Sequence, residues 1–440
     1  MFKFKLETEL KKMEIPKVWV IKKIKEVAEV FKNPHCPPGK NTYSLTQRAI
    51  MDFSILKNEI REVNTNKRNV MFLKRDDIVI NSQGEGTLGR CGFISEDLIE
   101  TYNDKLVSDG LITVVRSREI NAKYLYYLLS SNFYREYIDS RKVGSTGQTS
   151  ISPDEIMNLT IFFPSIKDQL LVASILSFFD DLISNKKKQN EILEKTAMSI
   201  FKNYFVDFNQ SNEGKFVHNE ELEMEIPENW EVKPIGKIAT LENGIPYSGE
   251  EKVKKNVEGS YIFITLNNAV EGGGFKTEYS WIKSDRLKDS HFLYEGDLII
   301  TNVHFGVGGS AIGRLLATPA LVNFPEDYKQ ERGVYSMDIT KFSPFEKEYK
   351  PYLYLYLKFT KEDSVSFSTG TSILHLDIEN FKQNKMVLCP PKKILEKFNS
   401  IIQPIFQKIV INQKQIMTLT DIRDTFLPFL VFGKLKVEEI

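Results

Sequence analysis

Residues whose types could carry chemistry are few and scattered. A glycine-rich stretch at residues 84–89 follows a predicted strand and has the G-x-G-x-x-G spacing of a dinucleotide-binding turn. That chemistry needs a helix that begins at the third glycine, because the helix N-terminus holds the pyrophosphate. Residues 90–94 instead predict a strand, and the glycines of residues 306–309 have a different spacing. The sequence therefore argues against a nucleotide site.

Three other sets of residues could serve an enzyme, and each is incomplete. Asp297 with the Asp-Tyr-Lys run at residues 327–329 could supply a metal-dependent nuclease, but the first half of the chain has no equivalent set. The Cys-Pro-Pro run at residues 389–391 lacks the polar and aromatic residues of the similar loop in amino-methyltransferases. The three cysteines and five histidines are too scattered for a metal site or a catalytic triad. We predict no enzyme, no metal and no cofactor.

Composition indicates a large globular protein. The 440 residues are 41% hydrophobic, which is enough for two or three domains with their own cores. The net charge of +0 argues weakly against nonspecific coating of nucleic acid, since such binding depends on neutralising phosphates. No apolar run is long enough to span a membrane, and the N-terminus lacks a signal-peptide core. We expect a soluble cytoplasmic protein without a membrane partner.

Two long stretches predict helices that pair along their length. Alternate steps of three and four residues give an apolar seam with a polar centre in residues 176–204, and the same steps give a second seam, which includes Arg423, in residues 402–430. We expect these helices to pack antiparallel, with Asn190 and Asn412 either paired at the centre or facing solvent at an irregularity. The predicted pairing residues are Leu176, Phe179, Ile183, Asn190, Leu193 and Ile200, and Ile405, Ile409, Asn412, Ile416, Leu419 and Phe426.

Pro404 lies inside the second of these stretches. Proline removes a backbone donor and crowds the preceding turn, so we expect it to kink or restart the helix.

The rest of the chain is also duplicated. The sequence around Trp19 reappears around Trp230, and each copy has a strand followed by a glycine-rich loop that closes on Gly-Arg, at Arg90 and Arg314. Aromatic-rich helices are predicted at residues 124–129 and 352–357, and we expect them and both tryptophans to be core. Residues 243–249 are predicted to occupy the place of residues 43–48. A tandem repeat explains all of these matches.

The order of globular segment, long helix, globular segment and long helix resembles the specificity subunit of type I restriction–modification systems. The residues that carry this resemblance are 147–151, 164–169, 173–176 and 180–183. The chain departs from the family pattern at Asp76, where glycine is usual, and at Thr371, where glutamine is usual.

The resemblance implies an α/β fold with an internal pseudo-twofold repeat. Two tandem target recognition domains, residues 1–166 and 209–391, would be separated by two long antiparallel coiled-coil helices in residues 167–208 and 392–440. At about 1.5 Å per residue, a helix of about 38 residues spans roughly 57 Å, which exceeds one turn of B-DNA at about 34 Å. Two domains could therefore address separated DNA segments.

The resemblance also implies a non-catalytic function. The chain would recognise a bipartite, asymmetric site on double-stranded DNA, and its helices would seat two methyltransferase subunits, joined by restriction and translocation subunits. The alternatives are a scaffold whose duplicated modules bind other proteins, and a specificity region split from a fused restriction and methylation enzyme. Acidic residues outnumber basic ones in residues 209–391. DNA binding there requires clustered positive charge or help from the methyltransferase subunits.

Residues that read bases must be polar and must lie on exposed loops. The candidates in the first module are Ser44, Thr46, Gln47, Arg48, Asn81, Gln83 and Arg90, and those in the second are Tyr247, Ser248, Asn267, Asn268, Asn302, His304 and Arg314. Arg90 and Arg314 are predicted to share a repeat position, so a structural or phosphate-binding role is the alternative for them.

Overall fold

A computed structural model describes residues 18–66, 69–84, 86–144, 149–210, 215–255, 257–270, 273–305, 316–371 and 373–435. The chain forms two compact units. Unit 1 consists of residues 1–183 and 419–440, and unit 2 consists of residues 184–418. Each unit combines a globular α/β part with segments of two long helices.

Unit 1 contains eleven described strands and five short helices before the first long helix. The strands are β1 Val20–Lys23, β2 Ala28–Lys32, β3 Pro38–Leu45, β4 Ile50–Met51, β5 Ser54–Ile55, β6 Arg61–Val63, β7 Ile78–Asn81, β8 Cys91–Phe93, β9 Leu106–Ser108, β10 Ile112–Ser117 and β11 Thr160–Phe163. The helices are α1 Ile24–Val27, α2 Glu96–Thr101, α3 Ala122–Ser130, α4 Asn132–Asp139 and α5 Pro153–Met157.

The strands of unit 1 form an antiparallel sheet in the order β2-β10-β7-β8 and a smaller sheet in the order β6-β3-β9. In the smaller sheet β3 and β9 are parallel, with Leu45 opposite Ser108. β1 pairs with β11, and β4 pairs with β5 as a tight hairpin. The ends of β3 and β7 carry the polar loops that concern function.

The core of unit 1 is built around α3. All residues of α3 from 124 to 129 are buried, and a helix that is apolar on every side belongs inside a core. Asn121 begins the helix, because its Oδ1 accepts the backbone N–H of Tyr124 at 2.9 Å. The predicted core role of this aromatic stripe is confirmed. Trp19 packs against the same core, and in unit 2 Trp230 is buried.

Unit 2 repeats this architecture with additional strands. The strands are β12 Phe216–Asn219, β13 Met224–Pro227, β14 Glu231–Pro234, β15 Ala239–Asn243, β16 Lys252–Val253, β17 Tyr261–Ile264, β18 Ser280–Ile282, β19 Phe292–Tyr294, β20 Leu298–Thr301, β21 Val303–Phe305, β22 Pro319–Leu321, β23 Arg332–Tyr335, β24 Ile339–Pro344, β25 Ser368–Thr369, β26 Ile373–Leu376 and β27 Met386–Cys389. Its long and short helices are α6 Ile166–Phe205, which begins in unit 1, α7 Tyr349–Phe359, α8 Lys361–Ser364, α9 Ile378–Asn384 and α10 Lys392–Val431, which ends in unit 1.

The sheets of unit 2 correspond to those of unit 1. The antiparallel order β15-β24-β20-β22 matches β2-β10-β7-β8, and β14 pairs with β27 as β1 pairs with β11. A five-stranded sheet in the order β16-β18-β17-β23-β19 contains the parallel pair β17 and β23, which matches β3 and β9. The predicted tandem α/β repeat is confirmed.

Hydrogen bonds identify equivalent residues after β7 and β20. Gly89 N–H donates to Asn81 O at 2.8 Å, and Ala317 N–H donates to Thr301 O at 2.9 Å. Both Gly89 and Ala317 have left-handed backbone, with φ of 78° and 50°. Glycine adopts this conformation freely, whereas alanine is strained by its Cβ. Ala317 therefore holds in unit 2 the position of Gly89.

This register differs from the sequence-based match of Arg90 with Arg314. Asn81 N–H donates to Arg90 O, and the corresponding donor in unit 2, Thr301 N–H, pairs with Thr318 O. Thr318 is therefore the equivalent of Arg90. The sequence match followed the shared Gly-Arg pair, but the loop after β20 is longer than the loop after β7. Arg314 itself lies outside the described residues.

The turns that precede β7 and β20 contain acidic residues with structural roles. Asp76 has φ of 67°, and the equivalent Gly296 has φ of 81°, so aspartate here tolerates a position that suits glycine. Asp77 accepts the N–H of Lys74 at 2.8 Å, and Asp297 accepts the N–H of Tyr294 at 2.9 Å. The carboxylate of Asp297 thus caps a turn.

The two long helices, α6 and α10, each have 40 residues. In unit 2, Lys186 contacts Gln415 and Asn190 contacts Asn412, so rising numbers on α6 meet falling numbers on α10. In unit 1, Asp180 of α6 pairs with Arg423 of α10. The predicted antiparallel pairing of the helices is confirmed.

The predicted pairing residues are all buried or half-buried. Leu176, Ile183, Ile409 and Asn412 are buried, and Phe179, Asn190, Leu193, Ile200, Ile405, Ile416, Leu419 and Phe426 are half-buried. Asn412 Nδ2 donates to Asn190 Oδ1 at 2.9 Å. The structure thus shows the paired arrangement of the two asparagines and not the solvent-facing alternative.

Pro404 does not restart α10, which is continuous from residue 392 to 431. Proline leaves the carbonyl four residues earlier, that of Ser400, without its helical donor. Both Pro404 and Ser400 are exposed, so water can satisfy this carbonyl. Exposure explains why the helix continues.

Candidate nucleic-acid interface

A short 3-10 turn at residues 46–49, the first turn, follows the end of β3 in unit 1. Ala49 N–H donates to Thr46 O at 3.0 Å, and the buried Thr46 hydroxyl donates to Glu59 O at 3.0 Å. These bonds fix the backbone of the turn. Arg48, in its middle, is exposed.

Gln47 joins the first turn to the loop after β7. Its Nε2 donates to Gln83 O and to Thr87 Oγ1, both at 2.6 Å. Gly84, with φ of 98°, leaves the room for this contact, because a Cβ there would lie 2.6 Å from Gln47 Nε2. Asn81 Nδ2 completes the link by donating to Gln47 O at 3.1 Å. The turn and the loop therefore form one rigid surface.

Arg90 lies at the edge of this surface. It is half-buried, and its Nη1 lies 3.8 Å from Met51 Sδ. In the described part of the chain, its Nε has no hydrogen-bond partner. This Nε is buried, so any contact of Arg90 with a ligand must come from the exposed part of its side chain.

The structure brings most of the first-module candidates together. Gln47, Asn81 and Gln83 are in direct contact beside Arg48, and Arg90 approaches through Met51. Ser44, Thr46 and Asn81 are buried, so their side chains contact protein. Direct base contact by these three would require the loops to rearrange.

Unit 2 has an equivalent turn at residues 265–268, the second turn, after β17. Asn268 N–H donates to Thr265 O, and Asn268 Oδ1 accepts the N–H of Thr265, both at 2.9 Å. Asn268 Nδ2 also donates to Lys276 O and Glu278 O, which ties the turn to the next segment. Asn268 is buried, whereas Asn267 is exposed.

The parallel strands establish that the two turns are equivalent. Asp109 N–H donates to Leu45 O, and Ser336 N–H donates to Ile264 O, both at 2.9 Å. Counting onward from Leu45 and Ile264 places Arg48 opposite Asn267. The sequence-based match of residues 43–48 with residues 243–249 differs, because it followed a Tyr-Ser pair and not the strand register.

Asn302 lies near the second turn, after β20. Its Nδ2 donates to Asn243 Oδ1 at 3.2 Å and to Met337 O at 3.1 Å, and its Oδ1 accepts the Thr340 hydroxyl at 2.6 Å. Asn302 is buried, so its amide holds three strand ends together. The backbone of His304 belongs to β21, and its side chain, like all of Arg314, lies outside the described residues.

Tyr247 and Ser248 form a second group beside β17, the strand that leads into the second turn. The Tyr247 ring packs edge-on against Phe263, and Lys252 Nζ lies 4.9 Å from its centroid. Ser248 N–H donates to Glu251 Oε2 at 2.8 Å. Lys252 pairs with Ile282, the residue opposite the start of β17, whereas the second turn follows its end.

Arg286 organises this second group. It donates to Glu251 at 2.7 Å, and hydrogen bonds from Arg286, Ser284 and the Ser248 backbone lower the pKa of Glu251 to about 2. Glu251 therefore stays ionised and fixes Ser248, while Lys252 remains a nearby cation.

Sequence reasoning named Asn267 and Asn268 of the second turn but missed Thr265 and the capping contact that it makes with Asn268. Thr265 with Asn268 three residues later has the spacing of a helix-capping pair, so the sequence held a signal for it. Phe53 and Gln413, which support the two turns from outside, left no comparable signal. Both act through tertiary contacts.

Comparisons with known proteins agree with this arrangement. A family model for the type I restriction modification DNA specificity domain matches residues 16–195 and 227–421. The chain belongs to this family of type I restriction–modification specificity subunits, whose role is specificity and not catalysis. This confirms the resemblance noted in the sequence and the expectation that the chain is no enzyme.

Two curated relatives match most of the chain. The type I restriction enzyme MjaIX specificity subunit of Methanocaldococcus jannaschii is 32% identical over 456 residues, covering 100% of this chain and 99% of the relative. The type I restriction enzyme HindI specificity subunit of Haemophilus influenzae is 23% identical over 424 residues, covering 82% and 87%.

A solved structure has the same fold. The crystal structure of the type I restriction–modification S subunit from M. genitalium superposes with a TM-score of 0.50 at 16% identity, covering 95% of this chain and 96% of that one. Among the described residues, no helix has the length and apolar character to cross a membrane.

Proposed function

We propose that this chain recognises a bipartite, asymmetric site on double-stranded DNA, with each unit reading one half. The observation that carries the proposal is the equivalence of Arg48 and Asn267. The repeat exposes one residue at the same place in each unit, and the residue differs. A duplicated scaffold with different chemistry at one exposed position suits the reading of two different half-sites.

Arg48 is the principal base contact of unit 1 in this proposal. An arginine in the major groove donates two hydrogen bonds to the O6 and N7 atoms of guanine. Gln47 holds the first turn against the loop of Gln83, which keeps Arg48 in place. Arg90 donates to DNA at the rim, and Ser44, Thr46 and Asn81 shape the surface from within.

Asn267 has the corresponding role in unit 2. An asparagine matches the N6 and N7 atoms of adenine, so the second half-site would contain an adenine where the first contains a guanine. Asn268 and Asn302 hold the surrounding strand ends. Tyr247 and Ser248, with Lys252 beside them, contact the phosphate backbone of the DNA. His304 and Arg314 extend the contact surface.

The acidic character of the second module is compatible with this role. Lys252 and Lys254 are exposed, and Lys283 and Arg332 lie at the same end of the five-stranded sheet. These cations lie where β17 begins, so phosphate contacts by them would be separate from base contact at the second turn, which follows the end of β17. Phosphate contacts require such local clustering and not a positive total.

The proposal assigns the remaining parts of the chain as well. Residues 1–166 and 209–391 are the target recognition domains, and residues 167–208 and 392–440 are the spacer helices. Two methyltransferase subunits bind the paired helices, restriction and translocation subunits join the complex, and the assembly acts in the cytoplasm. The relatives named as restriction enzyme subunits support this assignment.

The test is to sequence methylated DNA, molecule by molecule, from cells that express this chain with its methyltransferase. The expected result is methylation at a split sequence, and Arg48→Asn should change one half only. Arg75→Asn is the matched control, because Arg75 is exposed but precedes β7, whereas the first turn lies beyond its end. Methylation that does not depend on this chain would favour a protein-binding scaffold and refute the proposal.

A further inference from the structure

We propose that α10 supplies the residue that positions the base-reading turn of each unit. Arg423 does so for the first turn in unit 1, and Gln413 does so for the second turn in unit 2. The inference rests on the proposed function of Arg48 and Asn267. It adds two positioning residues that lie far from both turns in the sequence.

In unit 1 the contact is made by Phe53, at the tip of the β4–β5 hairpin. The guanidinium carbon of Arg423 lies 3.7 Å from the centroid of the Phe53 ring. The same ring is stacked on Tyr127 at 6.4 Å and meets Tyr126 edge-on at 6.2 Å. A cation so close to a ring face is attracted by the ring quadrupole.

The backbone of Phe53 is held in an unfavourable conformation. Its φ is 59°, in the left-handed region that bulky side chains rarely adopt. Such strain persists only where the surroundings over-determine the conformation, and here the ring contacts with Arg423, Tyr126 and Tyr127 do so. With these contacts removed, the hairpin tip is held against this strain only by its turn and by the partly exposed ion pair of Asp52 with Arg135.

Arg423 is itself fixed. It is 6% exposed, its Nη1 donates to Asp180 Oδ1 at 2.8 Å, and its Nε donates to Asp424 Oδ1 at 2.9 Å. Asp180 also accepts the hydroxyl of Tyr127 at 2.6 Å. The guanidinium therefore cannot follow Phe53 if the hairpin moves.

The hairpin and the first turn are continuous. Leu56 N–H, just beyond the hairpin, donates to Ala49 O at 2.9 Å, so the hairpin closes on the turn that carries Arg48. Met51 of the hairpin also contacts Arg90. A displacement at Phe53 is therefore transmitted to both arginines.

In unit 2 the contact is made by Gln413. Its Nε2 donates to Phe275 O at 3.3 Å, and its Oε1 accepts Asn323 Nδ2 at 2.9 Å. Asn323 is fully buried and also accepts the Tyr279 hydroxyl through its backbone carbonyl at 2.7 Å. Gln413 thus holds the segment from Phe275 to Tyr279.

That segment is bonded directly to the second turn. Lys276 N–H donates to Asn268 O at 2.8 Å, and Asn268 Nδ2 donates back to Lys276 O at 3.0 Å. Asn267 precedes Asn268, so the position of the segment determines the position of Asn267.

The first helix does not offer the same groups. The repeated seam places Ala197 of α6 where α10 has Arg423, and alanine has no group that can stack or bond. Both positioning residues therefore come from α10, although the chain is a repeat.

The test uses the full chain assembled with its methyltransferase, and duplexes with the complete site, an altered first half or an altered second half. Arg423→Met should reduce discrimination against the altered first half about tenfold, because the base contact of Arg48 is no longer held in place. Discrimination of the second half should not change. Gln413→Ala should instead reduce discrimination against the altered second half and leave that of the first half unchanged. Arg423→Lys should restore most of the first-half discrimination.

Lys186→Met is the matched control, because Lys186 contacts Gln415 across the helix pair and neither turn. Phe53→Leu provides a milder variant should Arg423→Met fail to fold. Equal losses at both halves, losses with Lys186→Met, or no change with Phe53→Leu and Gln413→Ala would overturn the inference. Failure of the unaltered complex to discriminate either half would instead refute the proposed function.

Discussion

The first and second turns show one backbone with two sets of side-chain chemistry. Each turn follows a parallel strand, and each exposes its third residue, Arg48 or Asn267. The residue whose side chain bonds the turn to a neighbouring segment differs, because it is Gln47 in unit 1 and Asn268 in unit 2. The scaffold therefore constrains where this exposed residue stands and leaves its identity free.

The polar contacts between α6 and α10 differ in the same way. In unit 1 Asp180 and Arg423 form a buried ion pair, whereas in unit 2 the neutral side-chain amides of Asn190 and Asn412 hydrogen-bond to each other. A buried charge that loses its partner is far more costly than a buried amide that does so. The two units therefore respond differently to equivalent damage.

The largest expected effect separates these two pairs. Asp180→Ala should lower the free energy of opening of unit 1 by about 3 kcal/mol, because Arg423 stays buried with only the exposed Asp424 as an ionic partner. Asn190→Ala should lower that of unit 2 by about 1–2 kcal/mol. Hydrogen exchange of peptides from α6 measures both, and Glu191→Ala, at an exposed position of the same helix, is the control. Similar losses in the two units would contradict the comparison.

The next effect concerns Arg48, the proposed base contact of unit 1. Arg48→Ala should weaken binding to the complete site by roughly 10- to 100-fold, since a bidentate base contact contributes about 1–3 kcal/mol. Fluorescence anisotropy of the complex with labelled duplexes measures the change, with Arg75→Ala as the control. The loss should disappear when the first half-site is already altered. An equal loss on unrelated DNA would show that Arg48 contacts phosphate and not bases.

Asn267→Ala should have a smaller effect, about tenfold, confined to the second half-site. An asparagine contributes hydrogen bonds without charge, so the dependence of affinity on salt should stay as in the unaltered chain. Titration of the same duplexes at several salt concentrations tests both expectations, with Asn380→Ala, at an exposed position of α9, as the control. A change in the salt dependence would argue against a neutral base contact.

The tandem α/β architecture and the antiparallel helices could be predicted because both leave local, repeated patterns in the sequence. Heptad spacing predicts that Asn190 and Asn412 lie on the helix seam, where they contact each other. The tyrosine-rich stripe of α3 is core as expected. Such features depend on side-chain periodicity, which sequence displays directly.

Register within the units could not be predicted in the same way. The equivalence of Arg48 with Asn267 depends on hydrogen bonds between parallel strands that lie far apart in the chain, at Leu45 and Ile264. Burial of Asn81 and Asn302 likewise depends on which loops meet. Polar residues after a strand look alike in sequence whether they face solvent or hold strand ends together.

The smallest expected effect is that of Ala317→Gly, at the left-handed position shared by Gly89 and Ala317. Gly89→Ala should lower the free energy of unfolding by about 1–2 kcal/mol, because a left-handed backbone strains any Cβ. The added methyl would also lie 3.3 Å from Ile138 Cγ2, which is tighter than an ordinary contact. Ala317→Gly should relieve the same strain but should change the free energy of unfolding little. Relief of about 1–2 kcal/mol of strain is offset by the loss of a fully buried methyl, about 0.8 kcal/mol, and by about 0.5–1 kcal/mol of added chain entropy in the unfolded state.

Thermal unfolding of the two variants beside the unaltered chain measures this asymmetry. A clear stabilisation by Ala317→Gly would mean that the methyl of Ala317 contributes nothing to packing, and that unit 2 keeps an alanine there at a net cost. Equal destabilisation by both changes would mean that strain is minor at this position and that each residue is retained for its fit to its own core. The expected outcome is a loss of stability with Gly89→Ala in unit 1 and almost no change with Ala317→Gly in unit 2. This outcome has the same origin as the difference between the two turns. The repeat preserves the backbone conformation, and each unit satisfies it with a different residue.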